Sequence, residues 1–367
     1  MVANHPNRLL SIDALRGFDM LLISGGAEFI VRMQGKTGLN WVDALAHQMT
    51  HPPWNGFTFY DFIFPLFLFI AGVSLSYSIR KHENQDWSRS ALYRKAFKRM
   101  VILIVLGIIF KNSPVPVFEP SQIRLGSVLG RIGIATFFTT ILLVNYHWRQ
   151  RLLWVAGILL VYFVALFLIP VPGYGAGDLT FEGNLVGWFD RTFLPGRLLQ
   201  GTYDELGLLT QFPALCLTVL GTWAGEILQE NKQAAKTLKL LAIGAVLVVL
   251  GLLWGLVFPI NKHLWTSSFI LLTGGMAFLF MATFYWIIDV KGISNWAFFF
   301  KVIGMNSLLI YYAYRFIDFD HTSALIFGGI YGITPEAWHG VFQSIGALVL
   351  VWTFLYLMYR NRIFLKV

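Results

Sequence analysis

A histidine and an aspartate ten residues apart are the strongest candidates for acid–base chemistry in this chain. His51 opens the segment HPPWNG, and Asp61 lies inside the apolar run that follows it. An imidazole exchanges protons near neutral pH because its usual pKa is about 6.5. Pro65 removes the N–H that would bond the Asp61 carbonyl, which predicts a helix kink beside the carboxylate. The alternative is that Asp61 reaches polar surroundings at a helix end and that His51 is an ordinary loop residue.

Polar side chains recur in three further segments that the predicted topology places on the same side as His51. One precedes the sixth predicted span at 202–205, another lies between the seventh and eighth at 261–265 and includes His263, and the third, from Arg124 to Arg131, opens the fourth. The polar residues of any one segment, taken alone, are explained more simply as solvated loop residues or as helix caps. Together they offer carboxylates, hydrogen-bond donors and a cation, as a site for a polar sugar or amine requires. The substrate-binding residues predicted from these segments and from the HPPWNG loop are Trp54, Asn55, Tyr203, Asp204, Glu205, Asn261 and Lys262.

Basic and polar residues form a second group of candidates. Arg16 has the i, i+3 spacing of an ion pair with Asp13, which is the structural alternative to a binding role. Lys98 and Arg99 could meet a polyanion or the headgroups of anionic lipids. The group as a whole consists of Arg16, Lys98, Arg99, Arg131 (in the segment opening the fourth span) and the mid-span pair Asn306 and Ser307. We expect no metal site.

The elements that position these residues are predicted to be transmembrane helices. The chain has 367 residues, of which 56% are hydrophobic and 13% are charged, against about 45–50% and 25% in an average soluble domain. Apolar runs of about 20 residues, the length that crosses a bilayer, recur along the whole chain. The sequence therefore predicts a single all-α, polytopic membrane domain over 1–367 with about ten spans, near 14–33, 57–79, 96–112, 125–146, 152–170, 207–228, 240–258, 265–288, 296–317 and 337–358.

The distribution of Lys and Arg predicts the orientation. Basic clusters at 80–99, 149–151, 232–239 and 360–366 fall on one side in the ten-span arrangement, and cytoplasmic loops are enriched in these residues. Both termini are therefore predicted to be cytoplasmic, with the polar site near the opposite face. This placement accounts for the net charge of +9 without nucleic acid as a partner.

Several motifs together resemble a known family. The opening RLLSIDALRG from Arg8 to Gly17 is similar to the first-helix signature of transmembrane acyltransferases, and 51–72 resembles the HxxWNG, Asp and FP pattern of the heparan-α-glucosaminide N-acetyltransferases and their bacterial relatives. TYDELG at 202–207, INKHLW at 260–265 and GMNSLLIY at 304–311 match in order. The resemblance covers nearly the whole chain. It departs at the family's active-site asparagine, for which Asn40 is not a convincing equivalent.

The resemblance implies transfer of an acetyl group from cytosolic acetyl-CoA, as co-substrate, to the amine of a glucosamine-type sugar or glycan across the membrane. His51 then corresponds to the family's active-site histidine and Asp61 to its acidic residue. Asn55 or Lys262 could stabilise the oxyanion, and the second group of candidates would hold acetyl-CoA. The alternative is a transporter of amino sugars, which an intramembrane carboxylate and broken helices suit equally. Membrane lipid and a second copy of the chain are the other partners considered, and a bacterial inner membrane with a periplasmic site is expected.

Overall fold

The computed structural model describes residues 9–83, 88–231 and 233–365, and this part of the chain is helical with no β-strand. Arg8, Lys232 and Lys366, which the sequence placed on the inner side, lie outside the described residues. The helices are α1 (Leu10–Leu21), α2 (Ala27–Arg32), α3 (Asn40–Gln48), α4 (Phe59–Glu83), α5 (Arg89–Lys111), α6 (Val128–Asn145), α7 (Trp148–Leu168), α8 (Leu185–Phe193), α9 (Gln211–Leu228), α10 (Gln233–Gly255), α11 (Ser267–Tyr285), α12 (Ala297–Gly304), α13 (Ser307–Phe316), α14 (Phe319–Tyr331) and α15 (His339–Arg360).

Within the described residues, six helical segments are long and apolar enough to cross a membrane. A seventh is added if α12 and α13, which are bent by 68° at the break between them, form one broken span. The protein is therefore a multi-pass integral membrane protein. The six segments are Phe59–His82, Val128–Asn145, Trp148–Leu168, Ala235–Gly255, Ser267–Val290 and Glu336–Arg360.

The predicted count of ten spans is not supported, and two of the missing spans have a clear physical reason. The run at 14–33 is interrupted by non-helical backbone at Ser24 and Gly25. The run at 96–112 belongs to α5, whose first half carries several basic side chains. The run at 207–228 forms α9, which is as long as α6 but is not among the six segments. Because the inside and outside assignment depends on the count, the cytoplasmic location of both termini stays a prediction.

The chain divides into two compact units that alternate along the sequence. Among the described residues, the first unit consists of 9–52, 58–63 and 280–365, and the second of 53–57 and 64–279. Both α4 and α11 pass from one unit to the other. The prediction of one domain over 1–367 is not tested by this division.

Close helix packing in each unit depends on glycine. In the first unit, a Cβ on Gly17 of α1 would lie 1.8 Å from the carbonyl oxygen of Phe300 in α12. In the second unit, a Cβ on Gly72 of α4 would lie 2.0 Å from the carbonyl oxygen of Thr218 in α9. Helix pairs that lack a strong hydrophobic driving force in lipid associate through such small residues. These contacts hold α1 and α4 against their neighbours within each unit.

Candidate functional site

The first unit brings the two strongest candidates into direct contact. His51 Nδ1 lies 2.6 Å from Asp61 Oδ1, and the carboxylate is fully buried whereas the imidazole is 41% exposed. A carboxylate acceptor selects the tautomer in which Nδ1 carries the hydrogen, which makes the lone pair of Nε2 the basic one. The pair therefore has the arrangement of an oriented general base with an accessible ring.

The start of α4 explains why Asp61 is held in place. Thr58 precedes the helix, and its backbone N–H donates to Asp61 Oδ2 at 3.1 Å. The Thr58 hydroxyl donates to the carbonyl of Thr50 at 2.5 Å, which ties the helix start to the residue before His51. An acidic side chain in the first turn that accepts from the residue before the helix is half of a capping box, and the helix dipole favours its negative charge. The cap thus fixes the carboxylate that orients the imidazole.

An aromatic residue packs against the imidazole of His51. The ring of Tyr60 stacks on His51 with centroids 4.9 Å apart and an angle of 29° between the planes. Stacking restricts rotation of an exposed imidazole, so its orientation has two supports, the Asp61 carboxylate and the Tyr60 ring.

The second unit contains an aromatic and polar cluster around a second histidine. Trp54 stacks on His263 with centroids 5.2 Å apart and planes within 11°. The Tyr203 hydroxyl lies 2.8 Å from His263 Nδ1, and Glu205 Oε2 lies 4.0 Å from the same nitrogen. Burial, with the charges of Glu205 and Asp204 adding to it, raises the pKa of Tyr203 above its usual range. Three of the predicted substrate-binding residues, Trp54, Tyr203 and Glu205, therefore meet around His263, a member of the polar segment at 261–265 to which the sequence analysis assigned no role.

Asp204 lies in a buried ion pair. Arg124 Nε and Nη2 donate to Asp204 Oδ2 and Oδ1 at 2.6 and 2.7 Å, and both side chains are almost completely buried. The same carboxylate accepts the backbone N–H groups of Leu199 and Leu206. A bidentate guanidinium pair of this kind fixes the loop before α9.

The remaining predicted substrate residues join two loops of the second unit. Asn261 Nδ2 donates to Asn55 Oδ1 at 3.0 Å, and the N–H of Gly56 donates to the carbonyl of Ile260 at 2.9 Å. Gly56 has a φ of +123°, which a residue with a side chain rarely adopts. Lys262 follows in the second loop and is partly buried. The structure thus places Asn55, Asn261 and Lys262 in one pair of connected loops.

The predicted cofactor-binding residues lie in different parts of the two units. In the first unit Arg16 donates to Asp13 at 3.4 Å, the pairing anticipated as an alternative. Asn306 is buried and binds the backbone of Ile363 and Leu365, and Ser307 begins α13. In the second unit, Lys98 is exposed and Arg99 is partly buried, both on α5. The guanidinium carbon of Arg131 lies 4.4 Å from the centroid of the Trp265 ring, and Arg131 donates to the carbonyl of Glu205 at 2.8 Å.

Four residues to which the sequence analysis assigned no role contact members of the site, and two of them, His263 and Arg124, belong to its polar segments. Tyr60, Thr58 and His263 contact predicted residues directly, and Arg124 pairs with Asp204. Tyr60 and Thr58 stand within three residues of Asp61, so helix-start geometry is a signal that could have found Thr58. His263 and Arg124 are far from their partners along the chain, and the sequence carries no local signal for those pairings.

Comparison with known proteins identifies the family to which the chain is related. Two similar proteins are named heparan-alpha-glucosaminide N-acetyltransferase. The protein from Mus musculus is 26% identical, and the match covers 98% of this chain and 61% of that protein. The protein from Homo sapiens is 27% identical, and the match covers 99% of this chain and 60% of that protein. The chain thus spans about three fifths of the length of these curated relatives. Residues 8–257 match the family described as heparan-alpha-glucosaminide N-acetyltransferase, catalytic. This match covers more than half of the chain, and the chain therefore belongs to that family.

Proposed function

We propose that this protein is a transmembrane N-acetyltransferase that moves an acetyl group from acetyl-CoA to the amine of an amino sugar. The observation that carries the proposal is the contact between the exposed His51 imidazole and the buried Asp61 carboxylate at the start of α4. Membership of the family supports the reaction class. The proposal places the protein in a bacterial inner membrane with the acceptor on the periplasmic side, supported by the segregation of basic clusters along the sequence.

The chemistry needs a base because an ammonium group has no lone pair. The amine nitrogen forms a bond to the thioester carbonyl carbon, the carbon–sulfur bond breaks, and the sulfur leaves with the bonding pair as the CoA thiolate. An ammonium group first releases one proton to solvent. The second proton, which nitrogen loses as the amide forms, passes to Nε2 of His51 and then to the thiolate, which yields the amide and free CoA. Asp61 stabilises the imidazolium formed in this step, as a buried carboxylate on the opposite ring nitrogen does.

The second unit supplies groups suited to a sugar. Aromatic faces bind the C–H faces of sugar rings, and the Trp54, Tyr203 and Glu205 cluster combines such faces with a carboxylate. We retain Trp54, Tyr203, Glu205, Asn55, Asn261 and Lys262 as proposed acceptor contacts. We assign Asp204 the role of positioning the loop that carries Tyr203 and Glu205, because its carboxylate is already bound by Arg124.

Transport of an amino sugar without acetylation is the second candidate. It is favoured by two helix breaks in the first unit, one at Ser24 and Gly25 and the other between α12 and α13. Transporters bind substrates at such breaks. Formation of an N-acetylated product from labelled acetyl-CoA would exclude transport as the sole activity.

The test incubates the purified protein with isotope-labelled acetyl-CoA and a panel of amino sugars and detects labelled product by mass spectrometry. If His51 is the base, His51→Ala should lower turnover by roughly 10²–10⁴, the usual contribution of a positioned base. Its melting temperature should stay close to wild type because the side chain is 41% exposed. Asp61→Asn should lower turnover less, since it keeps the shape and loses the charge.

His47→Ala is the matched control, because His47 is an exposed histidine at the end of α3, four residues away. It should keep wild-type turnover. Activity of His51→Ala within a few-fold of wild type would remove His51 from the mechanism. A lower melting temperature with preserved turnover per folded molecule would assign His51 a structural role.

A further inference from the structure

Helix α1 contains a buried carboxylate that is not part of the His51 pair. Asp19 is fully buried, and among the described residues neither of its carboxylate oxygens has a hydrogen-bond partner. Asp61 is equally buried, but it accepts the backbone N–H of Thr58 and lies against His51. An ionised carboxylate without such partners is very unfavourable away from water, and a group in this situation takes up a proton.

Asp19 is the last of three charged residues that follow one another along α1. Asp13, Arg16 and Asp19 are three residues apart, a spacing that makes successive side chains neighbours on a helix. Arg16 Nη1 donates to Asp13 Oδ1 at 3.4 Å. The charge of Arg16 also acts on Asp19, although no hydrogen bond joins them. Arg16 therefore stands between two carboxylates and is hydrogen-bonded to one of them.

The elements that pack against α1 bring further titratable groups. These are Tyr60 in α4, Tyr285 in α11, Asp289 directly after α11, Lys301 in α12, and Tyr314 and Arg315 in α13. Tyr60 lies close enough to Asp19 for the two groups to interact electrostatically, but a phenol at neutral pH brings no charge. Asp289 accepts a backbone N–H near the start of α1, and the Lys301 ammonium lies 5.7 Å from the centroid of an aromatic ring of α15. Arg16 is thus the cation placed to pair with Asp19.

A proton fits this site better than a metal ion does. Magnesium and calcium bind six or more oxygen ligands, and no group of three or more acidic, histidine or cysteine side chains that could hold a metal ion occurs in the part of the chain that the structure describes. A proton needs one oxygen, and it removes the charge that burial makes unfavourable.

We propose that Asp19 is a proton-binding site of the folded protein, and that Arg16 moves between Asp13 and Asp19 as the proton binds and leaves. With the proton bound, the Asp19 carboxyl is neutral and Arg16 stays with Asp13. When the O–H bond breaks, the proton goes to solvent and the bonding pair stays on the carboxylate, which then attracts the guanidinium. This site does not depend on acetyl transfer.

Infrared spectroscopy of the purified protein tests proton binding directly, because a protonated carboxyl has a carbonyl band separate from those of carboxylates. At neutral pH, the spectrum of wild type minus that of Asp19→Asn should contain this band, and the band should disappear at alkaline pH. Asp19→Glu keeps an acid and should shift the band, so it reports the same group if Asp19→Asn does not fold. Glu336→Gln is the matched control, since Glu336 is an exposed carboxylate of the same unit, and it should remove no such band. Absence of an Asp19 band at neutral pH would overturn the proposal.

The exchange of Arg16 predicts opposite shifts in two variants. Arg16→Gln removes the cation, so the Asp19 band should persist to a pH higher by about one unit or more, the usual effect of a neighbouring opposite charge. Asp13→Asn removes the present partner of Arg16, so the band should disappear at a lower pH than in wild type. Lys301→Gln, which removes a cation elsewhere in the unit, should leave the titration unchanged. Either shift alone supports the exchange, and equal midpoints in wild type and both variants would refute it.

Thermal unfolding gives a second measure of the bound proton. The folded protein holds a proton on Asp19 that the unfolded chain releases at neutral pH, so this contribution to stability is present in acid and is lost as pH rises. The melting temperature of wild type should therefore fall relative to that of Asp19→Asn as pH is raised. Parallel curves, or a relative gain for wild type, would mean that Asp19 is ionised in the folded state and would overturn the site.

Discussion

Removal of Arg124 tests whether Asp204 holds the fold or binds the acceptor. Arg124 and Asp204 form two hydrogen bonds of 2.6 and 2.7 Å while almost fully buried. Taking away one partner of such a pair costs about 3–5 kcal/mol, because the other charge remains buried without compensation. At about 2–4 °C per kcal/mol for a domain of 150–250 residues, Arg124→Met should lower the melting temperature by roughly 10 °C. The two backbone N–H groups that Asp204 also accepts do not replace the lost cation.

The assay is thermal unfolding in detergent, with KM for the acceptor measured on the same preparations at a temperature where the variants stay folded. Gly126→Ala perturbs the pair without changing a charge, since its Cβ would lie 2.9 Å from Asp204 Oδ2, and it should also lower the melting temperature. Glu182→Gln, an exposed carboxylate in the same unit, should have no effect. If Asp204→Asn and Arg124→Met melt like wild type and raise the KM for the acceptor instead, the structural role of Asp204 is refuted.

Three further predictions concern pH, topology and the acetyl donor. Burial raises the pKa of Asp190 to about 6, so protonation stabilises the folded state, and that contribution is lost as pH rises from about 4 through 6. The melting temperature of wild type should therefore fall relative to that of Asp190→Asn between pH 5 and 8, and parallel curves would contradict the assignment. A reporter fused to the C-terminus should be active only in its cytoplasmic form and one inserted near Gly177 should report the outside, so a periplasmic C-terminus would overturn the predicted orientation. Replacing Lys98 and Arg99 by Gln should raise the KM for acetyl-CoA and leave that for the acceptor nearly unchanged, whereas an equal rise for both would count against a donor site on α5.

Local features of the site could be predicted from the sequence because their partners are close along the chain. His51 and Asp61 are ten residues apart, and the turn that starts α4 is enough to bring a first-turn carboxylate back to the preceding loop. The membrane class followed from composition, since an excess of apolar residues cannot be hidden in a soluble core.

The number of spans could not be predicted in the same way. Hydropathy records how apolar a run is, but not whether the backbone continues as one helix through it. At the break at Ser24 and Gly25, the freed carbonyl of Ser24 accepts from the hydroxyl of Tyr314, which is 290 residues away along the chain.

The sequence alone determined the membrane class, the family resemblance and the His51 and Asp61 pair, because composition and short-range spacing carry that information. Only the tertiary structure decided that Asp204 pairs with Arg124 and that Tyr203 meets His263, because these partners are 80 and 60 residues apart. A polar residue in a loop has the same appearance in a sequence whether it binds a ligand or another side chain. Which of the two it does depends on what folding places within hydrogen-bond distance.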